Sequence, residues 1–181
     1  MQAVSGCIDT KFRIHGYGGQ GVATAARILS RAGLLSGLKS QDAAFGDEWG
    51  EPAVSFVRLS KNDILEKGII NDPDYILVFH PDLMPPLKDV KDGSFIIVND
   101  TEKPANPIIK KKKLRIYYVD ATALALSATG RSVPNTAMLG ALLKVFSKIS
   151  MKNLKVSIEA EISERQKENQ SAAEEGFKTV R

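Results

Sequence analysis

Cysteine is almost absent: Cys7 is the only one in 181 residues. A single thiol closes no internal disulfide. Nor can it hold a protein-only iron–sulfur cluster, which takes about four thiolates. Histidine is nearly as scarce, with only His15 and His80, too few beside one thiol for a structural zinc site. Carboxylates could supply oxygen ligands for Mg²⁺, but no dense acidic cluster stands at suitable spacing. No metal site is therefore expected. No window approaches the ~18 apolar residues of a membrane span. Met1 to Thr10 lacks the apolar stretch of a signal peptide. The expectation is a cytoplasmic protein without a membrane contact.

What is present has the balance of a globular chain, with 43% hydrophobic and 25% charged residues. Its 181 residues suit one domain. A chain of this size buries roughly 70% of its unfolded surface and needs no staple. The net charge is +4. Much of the excess comes from Lys110, Lys111, Lys112 and Lys113, which read as a solvated loop before a strand. No aromatic residue interleaves with them, so nucleic acid is not the expected partner.

Short apolar runs alternate with amphipathic segments. Lys11–His15 is a candidate first strand, and a helical pattern follows from Val22 to about Leu35. Val22, Ala25, Ala26, Leu29 and Ala32 share one helical face, with Arg27, Ser30 and Arg31 opposite. Further strands are expected at Leu38–Asp42, Ala53–Leu59, Tyr75–Phe79, Phe95–Val98 and Ile116–Val119. The continuous runs suit strands covered on both faces. Ala121–Ala128 reads as a short helix with Asp120 as its cap. A strong helix follows Pro134, capped by Asn135 or Thr136 and apolar around most of its circumference. The tail from about residue 151 reads as one or two charge-balanced surface helices, with an end free to lie against a partner. Strand–helix alternation predicts an α/β three-layer sandwich, one domain over residues 1–181, around a mainly parallel sheet. The short connection before Ala53–Leu59 makes that strand the candidate for an antiparallel neighbour and a mixed sheet.

The chemistry concentrates in His15-Gly16-Tyr17-Gly18-Gly19-Gln20-Gly21-Val22, a Rossmann-like glycine-rich first loop between strand and helix. Glycine lets a backbone approach a ligand with no Cβ in the way. The helix behind it offers unpaired N–H groups and the positive end of its dipole. Together these suit an anion. Gly16, Gly18 and Gly21 fit G-x-G-x-x-G, with Gly19 and Gln20 as the variable positions and Asp42 as the candidate ribose contact. The plain alternative is a tight turn with nothing bound. His15, His80, Asn99, Asp100 and Asp120 stand at expected strand ends on the same edge, or each merely caps the next turn or helix. His15 has the chemistry of a base but no visible orienting partner or nucleophile. No nucleophile elbow, Walker A lysine or metalloprotease helix is present. Cys7 in the N-terminal segment is not expected to act as a nucleophile, and no catalytic residue is assigned. Trp49, in FGDEWGEP, is either a core plug or an interface anchor.

HGYGGQGVATAARIL, FGDEWGEPAVSFVRL, DYILVFHPDL, GSFIIVND and RSVPNTAMLGALLK, in this order, resemble the gamma subunits of 2-oxoacid:ferredoxin oxidoreductases, nearest the pyruvate type. The likeness covers roughly Phe12 to Lys148, and more loosely the C-terminal helices. It implies a subunit of an enzyme that decarboxylates a 2-oxoacid, passes electrons to ferredoxin and forms an acyl-coenzyme A. It implies alpha, beta and delta partner chains. Thiamine diphosphate, Mg²⁺, iron–sulfur clusters and coenzyme A then belong to the complex. For this chain it implies a role in assembly and in closing over coenzyme A. Gly16, Gly18, Gly19 and Gly21 are the expected anion or interface contacts, through backbone amides, with Asn135 and Thr136 beside them. No GDG-type thiamine diphosphate motif is present, so the isolated chain is expected to be inactive. Relatives often carry a basic residue and paired glycines after the F/Y-G-x-E element, whereas Glu48 is followed here by Trp49-Gly50-Glu51. A gamma-type chain for 2-oxoglutarate, a branched 2-oxoacid or indolepyruvate is the first alternative. A free-standing dinucleotide-binding module is the second.

Overall fold

The computed structural model describes residues 9–46 and 48–181. Cys7 lies outside the described residues, and with it the expectation placed on its thiol. In chain order the elements are β1 (Thr10–Tyr17), α1 (Val22–Leu35), β2 (Lys39–Phe45), β3 (Pro52–Ser60), β4 (Tyr75–Val78), β5 (Phe95–Asn99), α2 (Pro107–Lys111), β6 (Arg115–Val119), α3 (Ala121–Thr129), α4 (Asn135–Val145), α5 (Met151–Glu161) and α6 (Gln166–Thr179). They build one six-stranded sheet in the order β2-β3-β1-β4-β5-β6. The pairs β1–β4, β4–β5 and β5–β6 are parallel, whereas β3 runs antiparallel to both β1 and β2. The sheet is mixed for the reason read in the sequence: the short link from β2 to β3 can only make a hairpin.

The sheet has two apolar faces. On one, Phe12, Ile14, Leu77 and Ile97 join α1 and α4 in the larger core. On the other, Ile76, Val78, Ile96 and Val98 pack under Leu87, Val90 and Leu114. This explains why β4 and β5 are continuous apolar runs. Phe12, Tyr75 and Phe95 stack across three neighbouring strands, at 5.1 and 4.8 Å between ring centroids. α1 and α4 lie against the sheet, α5 packs on α1 and α6 on α4, with α3 beside α6. The opposite layer is thinner, made of α2, single 3₁₀ turns at Pro81–Leu83 and Leu87–Asp89, and irregular chain.

Several local expectations change. Ser30 is buried rather than solvent-facing, because its hydroxyl meets that of Ser40 on β2 at 2.6 Å. Lys110 and Lys111 end α2 instead of lying in a loop, where cations oppose the negative end of a helix. Lys112 bonds the carbonyls of Lys88 and Val90. Pro134, not Asn135 or Thr136, occupies the cap position of α4, and no side chain caps that helix. The tail is no mere surface attachment, because α6 buries Ala172, Ala173 and Gly176 against α4. Its last residue, Arg181, exchanges two backbone hydrogen bonds with Tyr118 of β6, at 3.0 and 3.1 Å.

Candidate functional site

The glycine turn sits at the carboxyl end of β1, where ligands bind in open α/β sheets. β1 continues through Gly16 to Tyr17, and α1 starts at Val22. Gly19 and Gly21 take φ of +94° and +75°, the left-handed region that favours glycine. Gly18 is there for close approach, since a Cβ on it would overlap the Glu48 carbonyl. Gly18 N–H donates to the Glu51 carbonyl at 2.8 Å, and Gly50 N–H donates to the Gly18 carbonyl at 3.2 Å. Residues 48–51, between β2 and β3, therefore clasp the turn. Trp49 rests the edge of its ring on Gly19 yet is 86% exposed. It is not a core plug.

Gln20, read as filler, proves central. Its side-chain oxygen accepts from Tyr17 N–H at 2.8 Å and its amide donates to the Phe79 carbonyl at 3.3 Å. Asn99 donates to the same carbonyl and to the Thr122 hydroxyl, each at 2.8 Å. The ends of β1, β4 and β5 are thus tied through one carbonyl just past β4. The remaining polar residues at strand ends serve local structure. Asp120 caps α3 by accepting from Ala123 N–H at 2.9 Å, and Asp100 accepts from Thr101 N–H at 2.7 Å. The His80 ring accepts from Asp82 N–H and stands 5.1 Å from the Tyr17 ring. His15 is not at a strand end. It lies within β1, its Nε2 buried without a partner. Burial, with the charge of Arg13 behind it, pushes its pKa down to about 4. At neutral pH it is uncharged.

Gly21 is the cap residue of α1 and gives no side-chain bond to it. The amides of Val22, Ala23 and Thr24 in the first turn have no intrahelical acceptor. Of this helix end, Gly21 and Thr24 line a cleft of about 490 Å³ that also contains Arg131, Asn135, Glu164 and Arg165. Asn135 lies so close to Gly21 that any Cβ there would collide with its side-chain amide. Its oxygen accepts from Thr136 N–H at 2.8 Å, which leaves the amide nitrogen beside the helix end. Thr136 is fully buried and donates its hydroxyl hydrogen to Asn169 at 3.2 Å, so it holds α6 rather than facing the cleft. Arg131 pairs with Glu164 at 3.1 Å, and Glu161 in the same wall is engaged by Arg27 and Arg31. Sequence reasoning missed Arg131 and Arg165 because only the fold brings them to the glycine turn.

The fold also disposes of the dinucleotide arrangement. That arrangement needs the strand with the acidic residue next to β1, but β3 intervenes between β1 and β2. Asp42 points from an exposed edge position roughly 10 Å, two strand spacings, away from β1. Among the described residues, no cluster of three or more His, Cys, Asp or Glu could hold a metal ion. No described helix is long and apolar enough to cross a membrane.

A family model described as pyruvate ferredoxin/flavodoxin oxidoreductase matches residues 11–179. The chain belongs to this family. It is 36% identical over 180 residues to the pyruvate/ketoisovalerate oxidoreductases common subunit gamma of Thermococcus litoralis, covering 94% of this chain and 97% of the relative. It is 37% identical to pyruvate synthase subunit PorC of Methanosarcina barkeri, covering 83% and 85%. The crystal structure of pyruvate oxidoreductase subunit PORC from Thermotoga maritima superposes with a TM-score of 0.80 at 27% identity, covering 96% and 97%. The match runs nearly end to end, so this is a gamma-type subunit of a family oxidoreductase and not a whole enzyme.

Proposed function

We propose that this chain is the gamma subunit of a cytoplasmic, multi-subunit pyruvate:ferredoxin oxidoreductase and binds the phosphate end of coenzyme A at the mouth of the α1 cleft. Alpha, beta and delta chains supply thiamine diphosphate, Mg²⁺ and iron–sulfur clusters, which do the decarboxylation and electron transfer. The chain's own residues contribute binding. The free amides of Val22, Ala23 and Thr24 point along the positive end of α1 and suit a phosphate oxygen. Arg131 and Arg165 suit a second phosphate of the same ligand, with the Asn135 amide lining the same cleft beside Gly21. Gln20 holds the turn in shape, and the exposed face of Trp49 can cover a ring. The observation that carries the ligand reading is one cleft lined both by two arginines and by an uncapped helix end.

Two measurements test this. The complex isolated through a tagged copy of this chain is expected to contain cysteine-rich partners and to oxidise pyruvate only with coenzyme A. Exchange of Arg165 or Arg131 for glutamine is expected to raise the KM for coenzyme A roughly tenfold, the equivalent of one charge-assisted contact, and to leave the KM for pyruvate alone. An unchanged coenzyme A KM in both variants would remove the ligand from this cleft. Preference for ketoisovalerate or 2-oxoglutarate over pyruvate would replace the substrate and leave the subunit role standing.

A further inference from the structure

On the side of the sheet away from α1 and α4, β1 and β3 are roofed only by irregular chain between Ser60 and Tyr75 and by the turn at Pro81–Leu83. Cations fasten that roof. Lys11 pairs with Glu66 and Asp72 at 3.4 and 3.2 Å, and the Arg58 guanidinium donates to the Gly68 and Ile69 carbonyls at 2.9 and 3.3 Å. Lys11 and Arg58 stand opposite each other in the β1–β3 register; Arg13, two residues further along β1 on the same face, has no carboxylate partner among the described residues. Its one side-chain hydrogen bond among the described residues is to the Ile70 carbonyl at 3.5 Å, and its Nε is buried and unpaired. Beside it lies His15, with its own unpaired Nε2. Both line an open cavity of about 420 Å³ whose other walls are apolar, including Val54, Phe56, Ile69 and Leu83. Its surroundings are apolar as well: Ile69 is 61% exposed, and Phe45, stacked edge-on to Phe56, is 46% exposed.

We propose that this face of β1 and β3 is the seat of another subunit of the complex, which inserts a carboxylate side chain towards Arg13 between apolar side chains that cover Ile69 and Phe45. The inference rests on the chain being a subunit and is independent of what fills the α1 cleft. A half-buried guanidinium without a counter-charge carries a desolvation cost that an incoming carboxylate offsets. Neutral His15 beside Arg13 adds no opposing charge. A small free carboxylate would satisfy Arg13 but would leave the outer apolar side chains wet, so the arrangement favours a protein surface with an acidic centre.

The test uses the native complex carrying full-length variants. Ile69 is exposed, so Ile69→Glu and Ile69→Lys are expected to melt as the parent chain does. Ile69→Glu sets a negative charge at the mouth of the cavity and should raise the dissociation constant of this subunit at least tenfold. Ile69→Lys should weaken it distinctly less. Arg13→Gln should loosen the complex and flatten the dependence of its dissociation on salt. Equal losses with Glu and Lys would overturn the acidic partner. Unchanged subunit composition in Ile69→Glu and Arg13→Gln would overturn the interface. Self-association of the isolated chain that Ile69→Glu abolishes would assign the face to a second copy instead. These readouts leave the coenzyme A KM untouched, so failure here is distinguishable from failure of the cleft.

Discussion

The side chain of Gln20 closes a ring with Tyr17 N–H on one side and reaches the Phe79 carbonyl on the other. Glycine permits the turn, but Gln20 selects it from the conformations glycine allows. Gln20→Ala removes both bonds and is expected to lower stability by about 1–3 kcal/mol, read as an earlier urea midpoint at constant slope. His15 makes a second prediction. Its pKa is depressed to about 4 in the fold, against 6.5 when exposed. The unfolded chain therefore takes up this proton first as pH falls. Stability should drop through the interval from about 6.5 to about 4, by up to roughly 3 kcal/mol once complete. His15→Gln should remove that part of the pH dependence, measured by urea titration of both chains between pH 7 and 4. At this scale the glycine turn was legible because its need for glycine is local. The role of Gln20 was not, because its partner lies 59 residues away. Asn135 lies beside the turn, whereas Thr136 turns to Asn169 of α6, and neither caps the helix for which both were read as caps.

Helices α4 and α6 cross with almost nothing between them. A Cβ on Gly140 would overlap the Ala173 carbonyl, and one on Gly176 would overlap the Ala137 carbonyl. The crossing is reciprocal, glycine against alanine backbone in both directions, and lies over the buried Ala172 and Ala173. Gly140→Ala or Gly176→Ala must push the helices apart. Each is expected to cost about 3 kcal/mol, towards the upper end of overpacking, although alanine is the better helix former. A thermal melt of each variant checks the sign. The apolar circumference of α4 announced a helix packed on two sides, and the structure buries every residue from Asn135 to Leu143. The packing of α6 was hidden because small residues at Ala172, Ala173 and Gly176 carry little hydrophobic signal. They matter through how closely they let backbones meet. Strands β4, β5 and β6 were readable within a residue or two, since continuous apolar runs bounded by turns leave few other solutions.

For the whole molecule, the decisive feature is β3, which enters the sheet antiparallel and takes the place beside β1. That one pairing moves Asp42 away from the glycine turn and out of the place a dinucleotide ribose would need. A calorimetric titration of the full chain with NAD should accordingly be flat, and micromolar binding would contradict this geometry. The α/β class and the mixed sheet were legible from the alternation of elements. The sheet order was not, because hydrophobic period carries no record of which strand sits next to which. The same order has a consequence during synthesis. β1 leaves the ribosome first among the described strands but pairs in register with β3 through Phe12 and Val57, and with β4 through Phe12 and Tyr75. At about 5–20 residues per second, it waits several seconds with both edges bare. A nascent chain of this design hands any strand-binding chaperone its earliest target before the fold can claim it.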